Sequence, residues 1–315
     1  MAFFLSLTLN YGETNTTPVL KSILNSTWLL AIGFVLFWNS GFIGADYALP
    51  FAEPFTLLFW RYWPLTLILV AWLAVRGRLL WPGYNAALTA MVIGILAHGV
   101  WLGCVLFSLH YGVPAGIVAL VVALQPMTTG ALSGTVTGEH TPLHRWTGLI
   151  IGFIGVMIAV LARTDFSDAQ SIFAYFIPLG SVVAITGASL FQRRMEVRGH
   201  ANRLPVDLAL FYQCLGTALA LTIPAIAVEH LAAEWVPEFI ATMIWLILGV
   251  SLAAYAMMWM LIARMDATRV ASLFYLGPPV TMLMAWIAFG DMLLATDILG
   301  LGVVALGVLL SQKRD

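Results

Sequence analysis

The sequence predicts an all-helical polytopic membrane protein in which ten transmembrane helices form two inverted five-helix repeats around a central cavity. The first observation is composition: 61% of the 315 residues are hydrophobic and 9% are charged, whereas soluble domains contain about 25% charged residues. The second is that apolar stretches of roughly 20 residues, long enough to cross a bilayer, recur along the whole chain. A β-barrel would instead show short strands of alternating apolar and polar residues. The third is an internal repeat.

Polar and turn-forming residues divide the chain into ten candidate spans. Their approximate cores are 28–47, 54–75, 85–108, 113–136, 143–162, 171–191, 205–228, 238–262, 267–290 and 297–312. Residues 1–27 lack a basic segment and a small-residue cleavage site, so we interpret them as a cytoplasmic tail rather than a signal peptide. The cysteines Cys104 and Cys214 both lie in apolar runs and predict neither a disulfide framework nor a metal site.

Basic residues in short loops mark the cytoplasmic side of a membrane protein. If the N-terminus is cytoplasmic, every lysine and arginine except Arg61 and Arg163 falls on the cytoplasmic side. The outer loops then contain the acidic residues Asp46, Glu53, Asp165, Asp168, Glu229, Glu234 and Glu238. This separation predicts an inner (plasma) membrane protein with both termini in the cytoplasm, and nothing in it indicates nucleic-acid binding.

An internal repeat appears when residue 115 is aligned with residue 267, an offset of 152 without gaps. Pro126 then aligns with Pro278, and the Gly-acid pair at 138–139 aligns with the one at 290–291. We infer a duplicated unit of five spans. Because five is odd, the second copy must enter the membrane from the opposite face, as in the inverted repeats of many secondary transporters. The predicted copies are 28–163 and 171–312.

These segments resemble a known family. The stretches "ALVVALQPMTTGALSGTVTGEHTPLHRWTGLIIGFIGV" and "ASLFYLGPPVTMLMAWIAFGDMLLATDILGLGVVALGV", with the arginine in "LLFWRYW", are similar to the drug/metabolite transporter superfamily and specifically to EamA-type ten-helix transporters. The resemblance covers about residues 28–312 and implies a cavity lined by spans 1, 3, 4, 6, 8 and 9. Asp291 departs from the usual Glu, and Pro278-Pro279 doubles the usual proline.

Uncommon polar and aromatic residues in the middle of the spans are the candidate cavity lining. A polar side chain at that depth is costly and suggests function, and aromatic faces with a few amides suit a flat or amphipathic organic substrate. The alternative is that the aromatic residues face lipid, and that His98 is a neutral imidazole bonded to a neighbouring helix rather than a proton-coupling group. The candidates are Trp38, Asn39, His98, Trp101, Gln125, Gln192, Tyr255, Trp259 and Tyr275.

Five further residues have two interpretations each. Pro126 and Pro278 are predicted hinges, and the alternative is that each makes a static bend that only helps packing. Glu139 and Asp291 are predicted helix-capping acids, and the alternative is a role in proton coupling. Arg61 is predicted to have a structural role, and the alternative is that it forms a site for a substrate anion.

The predicted function is secondary transport. Lys21-Ser22 lacks the glycines of a P-loop, and no cofactor or metal site is predicted. We expect alternating-access transport, with export favoured, of a small neutral, zwitterionic or cationic organic metabolite or drug. The alternative is a membrane-embedded enzyme acting on a lipid or lipid-linked substrate, but no acid lies deep in the membrane to pair with His98. Proton coupling, and a homodimer formed through a glycine-rich helix face, stay open.

Overall fold

The computed structural model describes residues 26–138, 142–197, 204–265, 270 and 272–311, which are predominantly helical. Eight of the described helices are long and apolar enough to cross a membrane, and two shorter apolar helices follow them. Backbone pairing between extended segments is limited, in these ranges, to one bridge between Ala52 and Ala233. The fold class is therefore an all-helical polytopic membrane protein.

The helices are numbered in chain order. They are α1 (Thr27–Ala48), α2 (Pro54–Val75), α3 (Tyr84–His110), α4 (Ala115–Leu132), α5 (Leu143–Arg163), α6 (Ala169–Val197), α7 (Val206–Ala227), α8 (Pro237–Ile262), α9 (Phe274–Phe289) and α10 (Ala295–Ser311). Each lies at one of the ten predicted spans. The largest differences are at α6, which is longer than its predicted core, and at α9, for which the preceding residues are only partly described.

Two helices are interrupted at their prolines. In α4 the first helical part ends at Val122 and the second begins at Gln125, so that Pro126 lies in a first turn. In α9 a short 3₁₀ turn precedes Gly277–Phe289, which places Pro278 in the first turn as well. A proline is tolerated in the first turn of a helical segment, because the N–H that it lacks would have no partner within that segment. The prolines therefore start new helical segments rather than bend continuous ones.

Helices α3 and α8 each contain a π-helical segment near the middle of their length. These segments are Ile95–Val100 in α3 and Trp245–Ala254 in α8. A π segment inside an α-helix rotates the side chains that follow it relative to those before it, and such segments are frequent at functional sites. Both segments lie next to the central pockets.

The offset of 152 residues that aligns the sequence also aligns the helices. It carries Pro54–Val75 onto Val206–Ala227, and it carries the starts of α5 and of the second part of α4 onto Ala295 and Gly277. Gly138, which ends a short helical turn at Gly134–Thr137 after α4, and Gly290, which ends α9, both have left-handed backbones with φ of 74° and 75°. The helix boundaries, and not only the residue pattern, therefore recur from one half to the other.

Helices α5 and α10 pack closely through corresponding glycines. A Cβ atom placed on Gly148 would lie 2.6 Å from the carbonyl oxygen of Gly307, and one on Gly155 would lie 2.7 Å from that of Gly300. Small residues allow transmembrane helices to approach this closely. The pairing of early with late residues makes the two helices antiparallel. This predicted glycine face is thus used in packing within the chain.

Helices α2 and α7 are also antiparallel and are joined by polar contacts at both ends. The carboxylate of Glu229, after α7, accepts hydrogen bonds from the backbone N–H groups of Phe55 (3.0 Å) and Thr56 (2.6 Å) in the first turn of α2. At the other end Arg78, after α2, forms an ion pair of 2.8 Å with Asp207 in the first turn of α7. Acids near helix N-termini are stabilised by the helix dipole.

The N-terminus of α10 is capped by an acid other than the one predicted. The carboxylate of Asp297 accepts a hydrogen bond of 2.8 Å from the backbone N–H of Leu294. Asp291 lies in the connection before the helix, where partial burial raises the pKa of its carboxyl group and Arg163 acts in the opposite direction. Asp297 replaces it as cap because its side chain reaches back over the first turn, whereas Asp291 is too far upstream. Glu139, the other predicted cap, lies outside the described residues.

Candidate functional site

Two adjoining pockets lie between the central helices. The first, which we call the arginine pocket, is a narrow cavity of about 40 Å³ formed by α1, α2, α3, α7 and α8. The second, the proline pocket, is larger, with a cavity volume of about 260 Å³, and is formed by α1, α3, α4, α6, α8 and α9. The proline pocket involves the six spans that the family resemblance implies for the cavity.

An aromatic wall separates the two pockets and lines both of them. It consists of Trp38, Trp101 and Tyr255, and Phe42 also lines both pockets beside them. The ring centroid of Trp38 lies 6.5 Å from that of Trp101 and 5.3 Å from that of Tyr255, and Phe274 packs edge-on against Trp38 at 5.1 Å. The three wall residues, predicted from three different spans, are thus in mutual proximity. They offer flat apolar surfaces to a bound molecule on either side.

Arg61 is buried in the arginine pocket, with 5% of its surface exposed. Its Nε donates a hydrogen bond of 3.0 Å to the hydroxyl of Ser251, which lies in the π-helical segment of α8. The ion pairs within the described residues involve other arginines, so the Arg61 charge has no carboxylate partner there. Among the residues that the structure describes, Arg61 is the one full positive charge that lines either pocket.

His98 also lines the arginine pocket, where it is buried in the π-helical segment of α3. Its Nε2 lies 3.3 Å from the amide oxygen of Gln213 in α7, so the ring nitrogen is the donor in this pair. The imidazole also packs near the rings of Tyr62 and Tyr255, at centroid distances of 5.8 and 6.1 Å. This geometry favours the interpretation of His98 as a neutral group bonded to a neighbouring helix.

The two polar contacts of the arginine pocket are counterparts in the repeat. Arg61 and Gln213 are separated by the repeat offset of 152 residues, one in α2 and the other in α7. Arg61 bonds to the π segment of α8, and Gln213 bonds to the π segment of α3. The pocket is therefore built from two similar cross-links, of which one contains a charge and the other an amide.

The proline pocket contains two predicted amides. Asn39 accepts a hydrogen bond of 3.1 Å from the hydroxyl of Thr281 in α9, and its NH₂ group donates to the carbonyl of Val35 at 2.7 Å. Its amide thus links α1 to α9. Gln125 lines the pocket beside Pro126 at the interruption of α4. Because Pro126 has no N–H, it cannot donate to the carbonyl of Val122 in the same pocket.

Three predicted lining residues lie elsewhere. Gln192 is exposed near the end of α6, Tyr275 packs against the apolar core, and Trp259 is half-buried one turn beyond Tyr255. None of the three lines either pocket. Trp259 does share a helix face with Tyr255, but the pocket ends before it.

Sequence reasoning also missed several lining or supporting residues. They are Tyr62, Gln213, Cys214 and Ser251. Extending the repeat register back to α2 would have identified Gln213, since it aligns with Arg61. Within the described ranges, no group of three or more His, Cys, Asp or Glu side chains could hold a metal ion.

Eight membrane-length apolar helices around central pockets, with few polar groups at mid-membrane depth, define a class of protein: an integral membrane transporter. The chain belongs to the EamA-like transporter family, whose model matches residues 4–161. The family lies in the drug/metabolite transporter superfamily, as the sequence resemblance predicted. The assignment is to a transporter and not to an enzyme.

Relatives support this assignment. The "Uncharacterized inner membrane transporter YedA" of Escherichia coli (strain K12) is 28% identical over 278 residues, covering 87% of each chain. The "Uncharacterized transporter YvbV" of Bacillus subtilis (strain 168) is 23% identical over 92% of each chain. A "Probable amino-acid metabolite efflux pump" of Salmonella typhimurium is 21% identical over 64% of this chain and 68% of its own length. Together with the eight membrane-length helices, the family makes this protein an integral membrane protein.

A solved crystal structure has the same fold. It matches with a TM-score of 0.61 and 20% sequence identity, covering 91% of this chain and 95% of the other. At this level of identity the likeness concerns the fold.

Proposed function

We propose that the protein is a secondary transporter that moves a small organic metabolite or drug across the inner membrane by alternating access. The observation that supports this most directly is the pair of adjoining pockets between two structurally corresponding halves, separated by the Trp38–Trp101–Tyr255 wall. A molecule bound between two halves can be exposed to either side of the membrane in turn if one half rocks against the other.

In this proposal the chain crosses the membrane ten times, with both termini in the cytoplasm. The antiparallel packing of α5 with α10 and of α2 with α7 supports an inverted repeat, because corresponding helices of the two copies run in opposite directions. The distribution of lysine and arginine supports the orientation. Tags at the two chain ends that mapped to different sides of the membrane would contradict it.

The interruptions of α4 and α9 are the proposed points of bending. Pro126 and Pro278 occupy corresponding positions and face the same pocket, where a change of angle would alter access. The segments on either side of each interruption are helical. Rocking could thus be accommodated by a few residues at helix-segment ends, as hinge motions usually are.

The proposed energy source is an ion gradient, the substrate gradient itself or a separate partner protein, and the lack of a recognisable P-loop in this sequence supports that proposal. The name of the Salmonella relative, which refers to efflux, supports export as the direction. The aromatic residues that line the pockets suit a substrate with a flat apolar part.

Transport in reconstituted proteoliposomes tests the proposal. Purified full-length protein would be given a panel of radiolabelled amino acids, organic acids and drugs, with and without an imposed pH gradient. We expect saturable uptake of at least one compound class above that of protein-free liposomes, and a loss of that uptake in a Trp38→Ala variant of unchanged folding. Passive, non-saturable flux across the whole panel would contradict it.

A further inference from the structure

We propose that Arg61 binds the carboxylate of the transported molecule, so that the arginine pocket holds the acid end of an organic acid whose flat apolar body lies against the aromatic wall shared with the proline pocket. This inference rests on the proposed function, because it assigns a substrate class to the same central site. It also narrows the classes predicted from the sequence. Neutral and purely cationic molecules are removed, and carboxylate-bearing ones remain.

The burial of the Arg61 guanidinium is the first step of the argument. A positive charge inside a membrane protein is costly unless an opposite charge or water accompanies it. The group has five N–H donors in a planar fork, and within the described residues one of them is used, on the uncharged hydroxyl of Ser251. The remaining donors belong to a side chain that lines the arginine pocket. An anion in that pocket would supply the missing partner.

Comparison with the other inter-helix arginines strengthens the point. Arg163, with 16% of its side chain exposed, pairs with Asp297, and Arg78, with 38% exposed, pairs with Asp207. Arg61 is more buried than either, yet no acid of the described residues faces it. Of these three arginines, the most deeply buried one is therefore the one that has no carboxylate partner among the described residues.

The planar fork matches a carboxylate, and a single arginine suits one negative charge better than the two of a phosphate monoester. A guanidinium can donate two parallel hydrogen bonds to a carboxylate, an arrangement that is stronger and more specific than a single bond. Trp101 lines the same pocket, and its indole N–H is buried without a partner among the described residues. The site therefore has unsatisfied donors at more than one position.

The repeat limits the site to one such anchor. The counterpart of Arg61 is Gln213, which bonds to His98 instead of carrying a charge. Among the described residues Arg61 is the one positive charge in this lining, which otherwise combines apolar and aromatic surfaces such as Trp38 and Val250 with the uncharged polar group of Ser251. One charged end and a flat apolar wall match a molecule that has a single carboxylate on an apolar or aromatic body. A second anionic group would find no second counter-charge there and would have to be desolvated at a cost.

Three ligands of nearly equal size test the charge requirement. They are 3-phenylpropionate, 3-phenylpropionamide and 3-phenylpropylamine, whose end groups are negative, neutral and positive. Binding to the purified full-length protein would be measured by calorimetry and by quenching of tryptophan fluorescence, since two tryptophans line the pocket. We expect the acid to bind at least about tenfold more tightly than the amide, as for other hydrogen bonds to charged groups, and the amine to bind most weakly.

Three results would overturn the inference. They are equal affinity for acid and amide, a preference for the amine, and an acid that does not bind at millimolar concentration. These measurements use the unaltered protein, so they do not depend on whether a variant folds.

Variants of Arg61 then test whether its guanidinium is the group that recognises the carboxylate. Arg61→Gln, which introduces the residue found at the corresponding position in α7, should reduce the preference for acid over amide to within about threefold. Arg61→Lys keeps the charge and should retain most of the preference. Arg76→Gln is the matched control, because it removes the same charge at the end of the same helix, where Arg76 packs over Trp72 at 4.4 Å outside the pocket. A full preference in folded Arg61→Gln protein would exclude Arg61 as the anchor.

Transport distinguishes failure of this inference from failure of the proposed function. Tight, Arg61-dependent binding of the acid without any transport would leave the site in place and remove the transporter proposal for it. Saturable transport of panel compounds with no preference for carboxylates would keep the transporter and remove the anchor.

Discussion

Arg163 and Asp297 join the end of α5 to the start of α10 through a buried ion pair. The Nε of Arg163 donates to one carboxylate oxygen at 3.0 Å, and its terminal nitrogen donates to the other. The Asp297 side chain is fully buried and also caps the first turn of α10. A single side chain thus fixes both the cap of one helix and its attachment to the corresponding helix of the other half.

Removing the arginine should therefore destabilise the protein strongly. Arg163→Gln would leave the Asp297 carboxylate buried without its counter-charge, which typically costs about 3 kcal/mol or more. We expect a lower melting temperature in detergent than for the unaltered protein. The double variant Arg163→Gln with Asp297→Asn should lose less than the sum of the two single changes, because it leaves no isolated charge. Additive losses would mean that the pair contributes no coupling.

A methyl group in the α5–α10 contact should also destabilise the fold. At Gly300, a Cβ atom would lie 2.6 Å from the carbonyl oxygen of Gly155, a rigid backbone atom. Gly300→Ala should thus cost about 1–3 kcal/mol through overpacking. The control is Gly302→Ala on the same helix, where a Cβ atom meets nothing within 4 Å. That change should be neutral or slightly stabilising, since alanine is the better helix former. Chemical unfolding of both variants provides the comparison.

Most of the architecture could be predicted from the sequence because the membrane imposes it. Apolar runs of fixed length place the helices, and α2 matches its predicted core of 54–75 at both ends. The repeat was visible because Pro126 and Pro278 fall in register. The offset found in the sequence also relates the helix boundaries.

The details of the site could not be predicted in the same way. Uniformly apolar helices have no polar face whose period would reveal a π-helical segment, so nothing in the sequence placed Ser251 opposite Arg61. Which helices meet across a pocket is a tertiary property, and it decides that Tyr255 lines the pocket and Trp259 does not. Gln213 differs, because its alignment with Arg61 was available from the repeat.

If the interruption in α4 is a hinge, replacing its proline should slow transport more than it destabilises the fold. Pro126→Ala restores an N–H that can continue the helix across residues 123–124. We expect turnover to fall by roughly an order of magnitude, equivalent to about 1.4 kcal/mol in the barrier, with little change in substrate affinity. Pro224→Ala in α7 is the control, because Pro224 also lies inside a helix but lines neither pocket. Equal rates for both variants and the unaltered protein would favour a static bend.

His98 is expected to hold the arginine pocket together rather than to carry protons. Its ring bonds to the Gln213 amide, the other titratable or charged groups near it are Arg61, Tyr62 and Tyr255, and no described acid faces it. A second positive charge beside Arg61 would be repelled in this low-dielectric site. His98→Asn should thus lower substrate affinity while leaving the pH profile of transport unchanged between about pH 5.5 and 8, the range in which an ordinary histidine titrates. Gln213→Leu, which removes the partner, should lower affinity to a similar extent. Transport assays across this pH range decide the matter, because a flattened profile in His98→Asn alone would assign proton coupling to the imidazole.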